Sequence, residues 1–138
     1  MSIRISSISV LDELECYELL STTTVGRIAF VSHQGQQLLP LNFTVVDGVI
    51  YFRTREEGVL SELAEGLDDV AFEVDHHGTT TRDAWNVTVR GATSVVHEAA
   101  GLASTARLAA LRPWPPGERA LVVALTPRSI DGRRVSSH

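Results

Sequence analysis

Two guanidinium groups bracket a hydroxyl in Arg53-Thr54-Arg55, at the end of an apolar stretch and just before a short helical pattern. A strand end followed by a helix start offers backbone N–H donors beside two cations, which suits a phosphate. The rest of the chain sharpens this reading, because all 12 basic residues are arginine and lysine is absent. Without lysine there is no Schiff base, so pyridoxal-phosphate and lysine-aldolase chemistry are excluded. A Walker-type phosphate loop is excluded for the same reason. Any bound phosphate must be gripped by arginine, hydroxyls or backbone N–H groups.

The other reactive side chains point to less. His76 and His77 are adjacent, so in extended backbone they face opposite ways, and a solvated loop is the stronger reading. His33 sits by a turn and His97 at a strand end, and no pair has the i, i+4 helical spacing of a zinc site. No metal site is expected. No Gly-x-Ser-x-Gly elbow supplies a serine nucleophile. Cys16, the only cysteine, lies in an amphipathic segment, where a thiol is usually a small core hydrophobe. Arg27 and Arg90 fall in strand patterns, where pairing with carboxylates on a solvated face competes with a ligand role. Trp85 heads a strand and reads as a core or interface aromatic, or else as a stacking wall for a planar ligand.

Composition bounds the remaining classes. A length of 138 residues suits one domain, spanning 1–138, with 43% hydrophobic residues for its core. A net charge of −5 argues against a general nucleic-acid binder. The N-terminus lacks the apolar stretch of a signal peptide, and no run approaches the length of a membrane span. A cytoplasmic protein is the expectation.

The elements that must position these residues follow from periodicity. A helix is predicted over residues 10–21, capped near Ser9, with Leu11, Leu14, Leu19 and Leu20 inward and Cys16 or Tyr17 at the margin. Strands are predicted over 26–32, 37–46 and 49–54, with a turn at Gln34-Gly35 and a hairpin at Asp47-Gly48. A short helix over 57–65 places Leu60 and Leu63 inward and ends at Gly66. Further strands cover 70–74 and 84–96, the latter alternating Trp85, Val87 and Val89 against Asn86, Thr88 and Arg90, with a bulge or bend at Gly91. An alanine-rich helix over 99–111, a proline-rich break over 112–117, a last strand over 119–126 and an extended tail complete the order. This β-β-β-α-β-β-α-β order with tight hairpins points to a small barrel closed by short helices.

Gly26-Arg27-Ile28-Ala29, Pro40-Leu41-Asn42-Phe43, the Asp47-Gly48 turn and Ile50-Tyr51-Phe52-Arg53-Thr54 follow one another in a familiar order. Val70-Ala71-Phe72-Glu73-Val74-Asp75, Trp85-Asn86-Val87-Thr88-Val89-Arg90-Gly91 and Ile130-Asp131-Gly132-Arg133-Arg134 continue it. Over residues 13–135 the sequence resembles the pyridoxamine 5'-phosphate oxidase-like family. That resemblance implies a mainly β (α+β) fold, an antiparallel six-stranded split β-barrel with short flanking helices. It also implies a homodimer with two flavin sites at the interface, each subunit contributing to both. On the same ground Leu41, Asn42 and Phe43 lie along the isoalloxazine edge through backbone groups, and Arg53 and Thr54 approach the ribityl phosphate. Trp85 and Arg133 contribute across the interface.

One departure from the family pattern stands beside these matches. Val59 occupies the place where many relatives have a phosphate-binding lysine, and Glu56 and Glu57 precede it. Losing one charge-assisted contact costs on the order of 1.5–3 kcal/mol, and carboxylates near a phosphate add repulsion unless they point to solvent. Arg55 is the residue expected to compensate. The resulting expectation is an FMN-dependent oxidoreductase passing hydride between the flavin and a small organic substrate, which is left open, with no catalytic residue assigned. Pyridoxamine-phosphate oxidation itself is not expected, because no residues for that substrate's phosphate are identifiable. Two alternatives remain on the same barrel: a non-catalytic protein holding a deazaflavin coenzyme, haem or another planar anion, and a cofactor-free dimeric partner.

Overall fold

A computed structural model describes residues 5–78, 83–96, 111 and 121–137. Seven strands form one antiparallel sheet: β1 (Ile5–Val10), β2 (Val25–Ser32), β3 (Gly35–Val46), β4 (Val49–Thr54), β5 (Val70–His77), β6 (Ala84–Val95) and β7 (Leu121–Ser137). The order is β1-β7-β4-β3-β2-β5-β6, and a β6–β7 ladder closes six of the strands into a barrel. This is the mainly β barrel that the sequence implies, with one strand added. β1 lies outside the ring against β7, in a segment for which the sequence predicts no element. Its larger apolar side chains, Ile8 and Val10, are 64% and 79% exposed, so no core-facing alternation announces it. The backbone ladder to residues 133–137 makes it a strand.

Alternation fills the barrel. Ile28 and Phe30 of β2, Phe72 and Val74 of β5, and Val87 and Val89 of β6 point inward and are buried. Phe43 meets Phe72 edge to face at 4.9 Å and 73°, a favoured arrangement of aromatic quadrupoles. Gly26 permits this, because a β-carbon there would sit 2.6 Å from Cε2 of Phe72. Asp47 and Gly48 both adopt positive φ, 50° and 77°, and turn β3 directly into β4. The preceding hairpin turns at His33-Gln34, one position earlier than expected. Ser32 pairs with Gly35, and its hydroxyl donates to the Gly35 carbonyl and accepts from the Gln34 N–H.

The helix α1 (Glu13–Leu20) is shorter than the predicted 10–21 and is capped by Asp12 rather than Ser9. Asp12 accepts from the Glu15 N–H at 2.8 Å, and Glu15 accepts from the Asp12 N–H at 3.2 Å, a reciprocal capping box. Cys16 and Leu20, four apart, form the buried stripe with Leu11, whereas Leu14 is 68% exposed. The predicted helix over 57–65 is a 3-10 helix (Val59–Glu65), entered and left through Gly58 and Gly66 at φ 94° and 95°. Leu63 anchors it in the core, and Leu60 is half-buried against the core. Thr93 fixes its end by donating to the Leu63 carbonyl at 2.8 Å and accepting from the Leu67 N–H at 3.0 Å.

β5 runs through His77, so His76 and His77 are strand residues and not loop residues as expected. The last strand and the expected tail are one 17-residue strand, β7, which pairs first with β4, then along β6, and finally with β1. The β6–β7 register shifts between Arg90 and Gly91, the bulge that Gly91 suggested. The expected helix over 99–111 and the break over 112–117 lie outside the described residues apart from Leu111, which is buried beside Tyr51 and Val122. No helix among the described residues is long and apolar enough to cross a membrane.

Candidate functional site

The barrel has a gap where β3 and β4 part. β3 has 12 residues, but only residues 43–46 pair with β4. β4 pairs with β7 along residues 50–54, so beyond the Phe43–Phe52 pair it keeps only that ladder, with Arg53 opposite Val122 and Thr54 opposite Leu121. β3 instead continues beside β2 to the His33-Gln34 turn. A cleft of about 370 Å³ opens between the diverging strands, with the 3-10 helix as its far wall. Leu39, Pro40, Thr54, Arg55, Glu57, Gly58, Val59 and Leu60 line it. Two segments distant in sequence, 39–40 and 54–60, therefore meet at one place, and each includes residues of the motifs singled out above.

Chemically the cleft has an apolar wall and a charged mouth. Leu39, Val59 and Leu60 are half-buried and continuous with the barrel core. Arg55 is the one basic side chain among the described lining residues, and its Nη2 lies 3.6 Å from Oε1 of Glu57. Both are open to water, at 47% and 83% side-chain exposure, so the pair itself contributes about 0–1 kcal/mol. Its importance lies in position: the cation that would meet an anion is already faced by a carboxylate. Glu56 does not line the cleft. Thr54 is buried, and its hydroxyl donates to the Arg55 carbonyl at 3.3 Å. That is a long bond, which a better acceptor can replace by rotation of the hydroxyl.

The predicted site residues divide into three groups. Thr54, Arg55 and Val59 line the cleft together. Leu41 and Phe43 do not line it: at 1% and 3% exposure both residues belong to the barrel core. Asn42 lies between them, half-buried on the other face of β3, and Arg53 is half-buried on β4 outside the lining. Trp85 and Arg133 stand apart. Trp85 is opposite His76 and Arg134, and Arg133 is opposite Asn86 and Val10. From Leu121, beside the cleft, to Arg133 is about 40 Å along β7. Neither lines the cleft of its own chain. The ring of His76 stacks on Trp85 at 6.0 Å and 28°, so Trp85 is both a core residue and the inner half of an aromatic pair.

Sequence reasoning missed Leu39 and Gly58 as lining residues and assigned Leu60 to the core alone. The positive φ of Gly58 was the available signal, since a glycine after two glutamates marks a turn that can aim a helix start at a cleft. Elsewhere two strand arginines pair with carboxylates. Arg27 bridges Glu73 and Asp75 at 3.6 and 3.3 Å, and Arg90 meets Asp131 at 3.2 Å. Burial, then Asp131 and the carboxylates of α1, push the Cys16 thiol up, which keeps it protonated and inert. No group of three His, Cys, Asp or Glu residues among the described residues is placed to hold a metal.

The fold and the motif order define a split-barrel protein, and comparison with known proteins agrees. Residues 12–134 match the profile of the pyridoxamine 5'-phosphate oxidase family, and the chain belongs to that family. An uncharacterized protein of Mycobacterium tuberculosis is 32% identical over 91% of this chain and 84% of its own length. A Corynebacterium glutamicum structure, thought to be a pyridoxamine 5'-phosphate oxidase, superposes with a TM-score of 0.75 at 30% identity, covering 94% of each chain. The structure of an FAD-binding protein from Mycobacterium smegmatis gives 0.74 at 29% identity, covering 94% of this chain and 99% of that one.

Proposed function

We propose that this chain is a homodimeric flavin-nucleotide-dependent oxidoreductase whose cofactor phosphate enters the cleft between β3 and β4. The observation that carries the reading is the meeting of Pro40, Thr54-Arg55 and Val59 around one cleft of about 370 Å³. That volume suits the ribityl and phosphate end of such a cofactor and lies at the low end of small-molecule pockets. When bound, the flavin supplies the hydride chemistry. The protein's share is binding and orientation. Arg55 offers a planar pair of donors to phosphate, Thr54 offers a hydroxyl, and Leu39, Val59 and Leu60 exclude water. Leu39 and Pro40, where β3 has no β4 partner, are the part of β3 that lines the cleft.

The family resemblance implies FMN, and likeness to the mycobacterial FAD-binding protein brings FAD into the same reading. Haem has less support, because no His, Cys, Met or Tyr stands among the described residues by which one chain lines the cleft. The homodimer rests on two supports. Trp85 and Arg133 reach a cleft only if a second copy brings them. The outer face of β2 and β3 also carries an apolar patch, with Val31 and Leu38 each 68% exposed and Ala29 paired between Leu38 and Ala71.

Purified protein titrated with riboflavin, FMN and FAD, with flavin fluorescence as the readout and light scattering for mass, tests the reading. Micromolar binding of a phosphorylated flavin by a dimer is the expected result. Arg55→Ala should weaken that binding by about tenfold or more and leave riboflavin unaffected. A protein that binds none of the three flavins overturns the proposal.

A further inference from the structure

Resting on the flavin reading, we propose that Glu62 is a positioning residue for the cleft. Its carboxylate ties the 3-10 helix to the β2–β3 turn and so fixes the spacing of the two walls between which the cofactor sits. One wall is the part of β3 that has no β4 partner, with Leu39 and Pro40. The other is the first turn of the 3-10 helix, with Val59 and Leu60. No strand ladder joins these walls, because the helix stands outside the sheet.

The 3-10 helix is fastened to β6 at its far end, where Leu63 is buried and Thr93 holds the Leu63 carbonyl and the Leu67 N–H. Its tie to the hairpin is Glu62. Oε1 of Glu62 accepts from the His33 backbone N–H at 3.0 Å and lies 3.1 Å from His33 Nδ1. Among the described residues, no other hydrogen bond or ion pair joins residues 59–65 to residues 32–41. The two contacts differ in weight. The His33 side chain is 85% exposed, and an imidazole so open to water adds little to a carboxylate. The Glu62 side chain is only 15% exposed, and its bond to a main-chain N–H is charge-assisted. The backbone bond is therefore the working part of the tie.

The consequence for binding follows from what holds β3. Between Gly35 and Asn42 that strand pairs with β2 alone, so the hairpin has one neighbour and a free edge toward the cleft. Such a segment opens locally at lower cost than the closed barrel does. A ligand meeting open walls must first draw them together, and its apparent affinity falls by the fraction of molecules already closed. A carboxylate that holds the walls before the ligand arrives removes that cost.

The experiment titrates riboflavin and FMN into the full chain and its Glu62→Ala, Glu62→Gln and His33→Ala variants, following flavin fluorescence. Amide hydrogen exchange of His33 is measured in the same proteins with and without FMN. Glu62→Ala should weaken both flavins about tenfold, because wall spacing serves the ring as well as the phosphate. Glu62→Gln keeps an oxygen that accepts from the His33 N–H and should recover most of the loss. His33→Ala keeps the N–H itself and should stay within about threefold of wild type. Without flavin, the His33 amide should exchange about tenfold faster in Glu62→Ala, and FMN should slow it again. Wild-type affinity in Glu62→Ala, a loss that glutamine does not recover, or unchanged exchange overturns the role of Glu62 while leaving flavin binding intact. Failure of wild type to bind either flavin, with exchange still accelerated in Glu62→Ala, overturns the flavin reading and not the tie.

Discussion

The wall built from β2, β5 and β6 and the gap between β3 and β4 use the same strand alternation with opposite results. In the wall, each row continues across neighbouring strands. Ile28, Phe72 and Val89 stand side by side facing inward at zero exposure, and Arg27 stands beside Glu73 on the outer face. In the gap, the row is interrupted. The β3–β4 ladder ends at Phe52, and the outward residue Pro40 and the strand-end residues Thr54 and Arg55 line a cleft in place of the missing ladder. The wall commits its inward side chains to packing and several outward ones to ion pairs. The gap leaves one cation, one carboxylate and an apolar surface for something that is not the chain itself. Packing and the proposed ligand contacts thus fall to different residues, and substitutions can separate them.

The largest effect is expected in the wall. Phe72→Ala removes a fully buried ring that touches Phe43, and should lower unfolding stability by about 3–5 kcal/mol, read from denaturant midpoints. Arg55→Ala, at the open mouth of the cleft, should stay within about 0.5 kcal/mol of wild type in the same assay. Similar losses for the two variants would break the division between wall and gap.

A smaller effect comes from placing a lysine where relatives have one. Val59→Lys adds a second cation to the cleft wall and should tighten binding of FMN by about tenfold, with riboflavin as the control. Because Val59 also packs against the core, the variant should lose on the order of 1 kcal/mol of stability. Unchanged FMN affinity would place the phosphate elsewhere and remove Val59 from the comparison.

Much of this arrangement was legible in the sequence. Asp47-Gly48 specified its hairpin, because few other residues tolerate two positive φ angles in succession. The alternation of Trp85, Val87 and Val89 identified a half-buried strand. β1 was not legible, because Ile8 and Val10 face solvent and what the described residues show is a main-chain ladder to β7. The start of α1 was misread, because Ser9 and Asp12 are both good caps and only the reciprocal bond with Glu15 decides between them. For the candidate site, the motif Arg53-Thr54-Arg55 contains two residues that line the cleft, but does not say which arginine faces it. That choice depends on where β4 leaves β3, which is a long-range pairing, and a local pattern does not contain it.

The smallest effect lies in the outer row of the wall and tests whether its ions are as fully paired as the packing is complete. Burial first, and then the neighbouring Asp75, raise the Glu73 carboxyl above the usual glutamate range, while Arg27 opposes them. The folded chain therefore holds this proton to higher pH than the unfolded chain. The stability it contributes is fully present below the ordinary glutamate pKa and is lost as pH rises through the raised value. Subtracting the Glu73→Gln stability profile from that of wild type should give a curve that falls with pH in that window and is flat on either side. Arg27→Ala, which removes the opposing cation, should widen the window toward higher pH. If the difference curve is the same with and without Arg27, the guanidinium is turned to water in solution, and the outer row of the wall is no better paired than the mouth of the cleft.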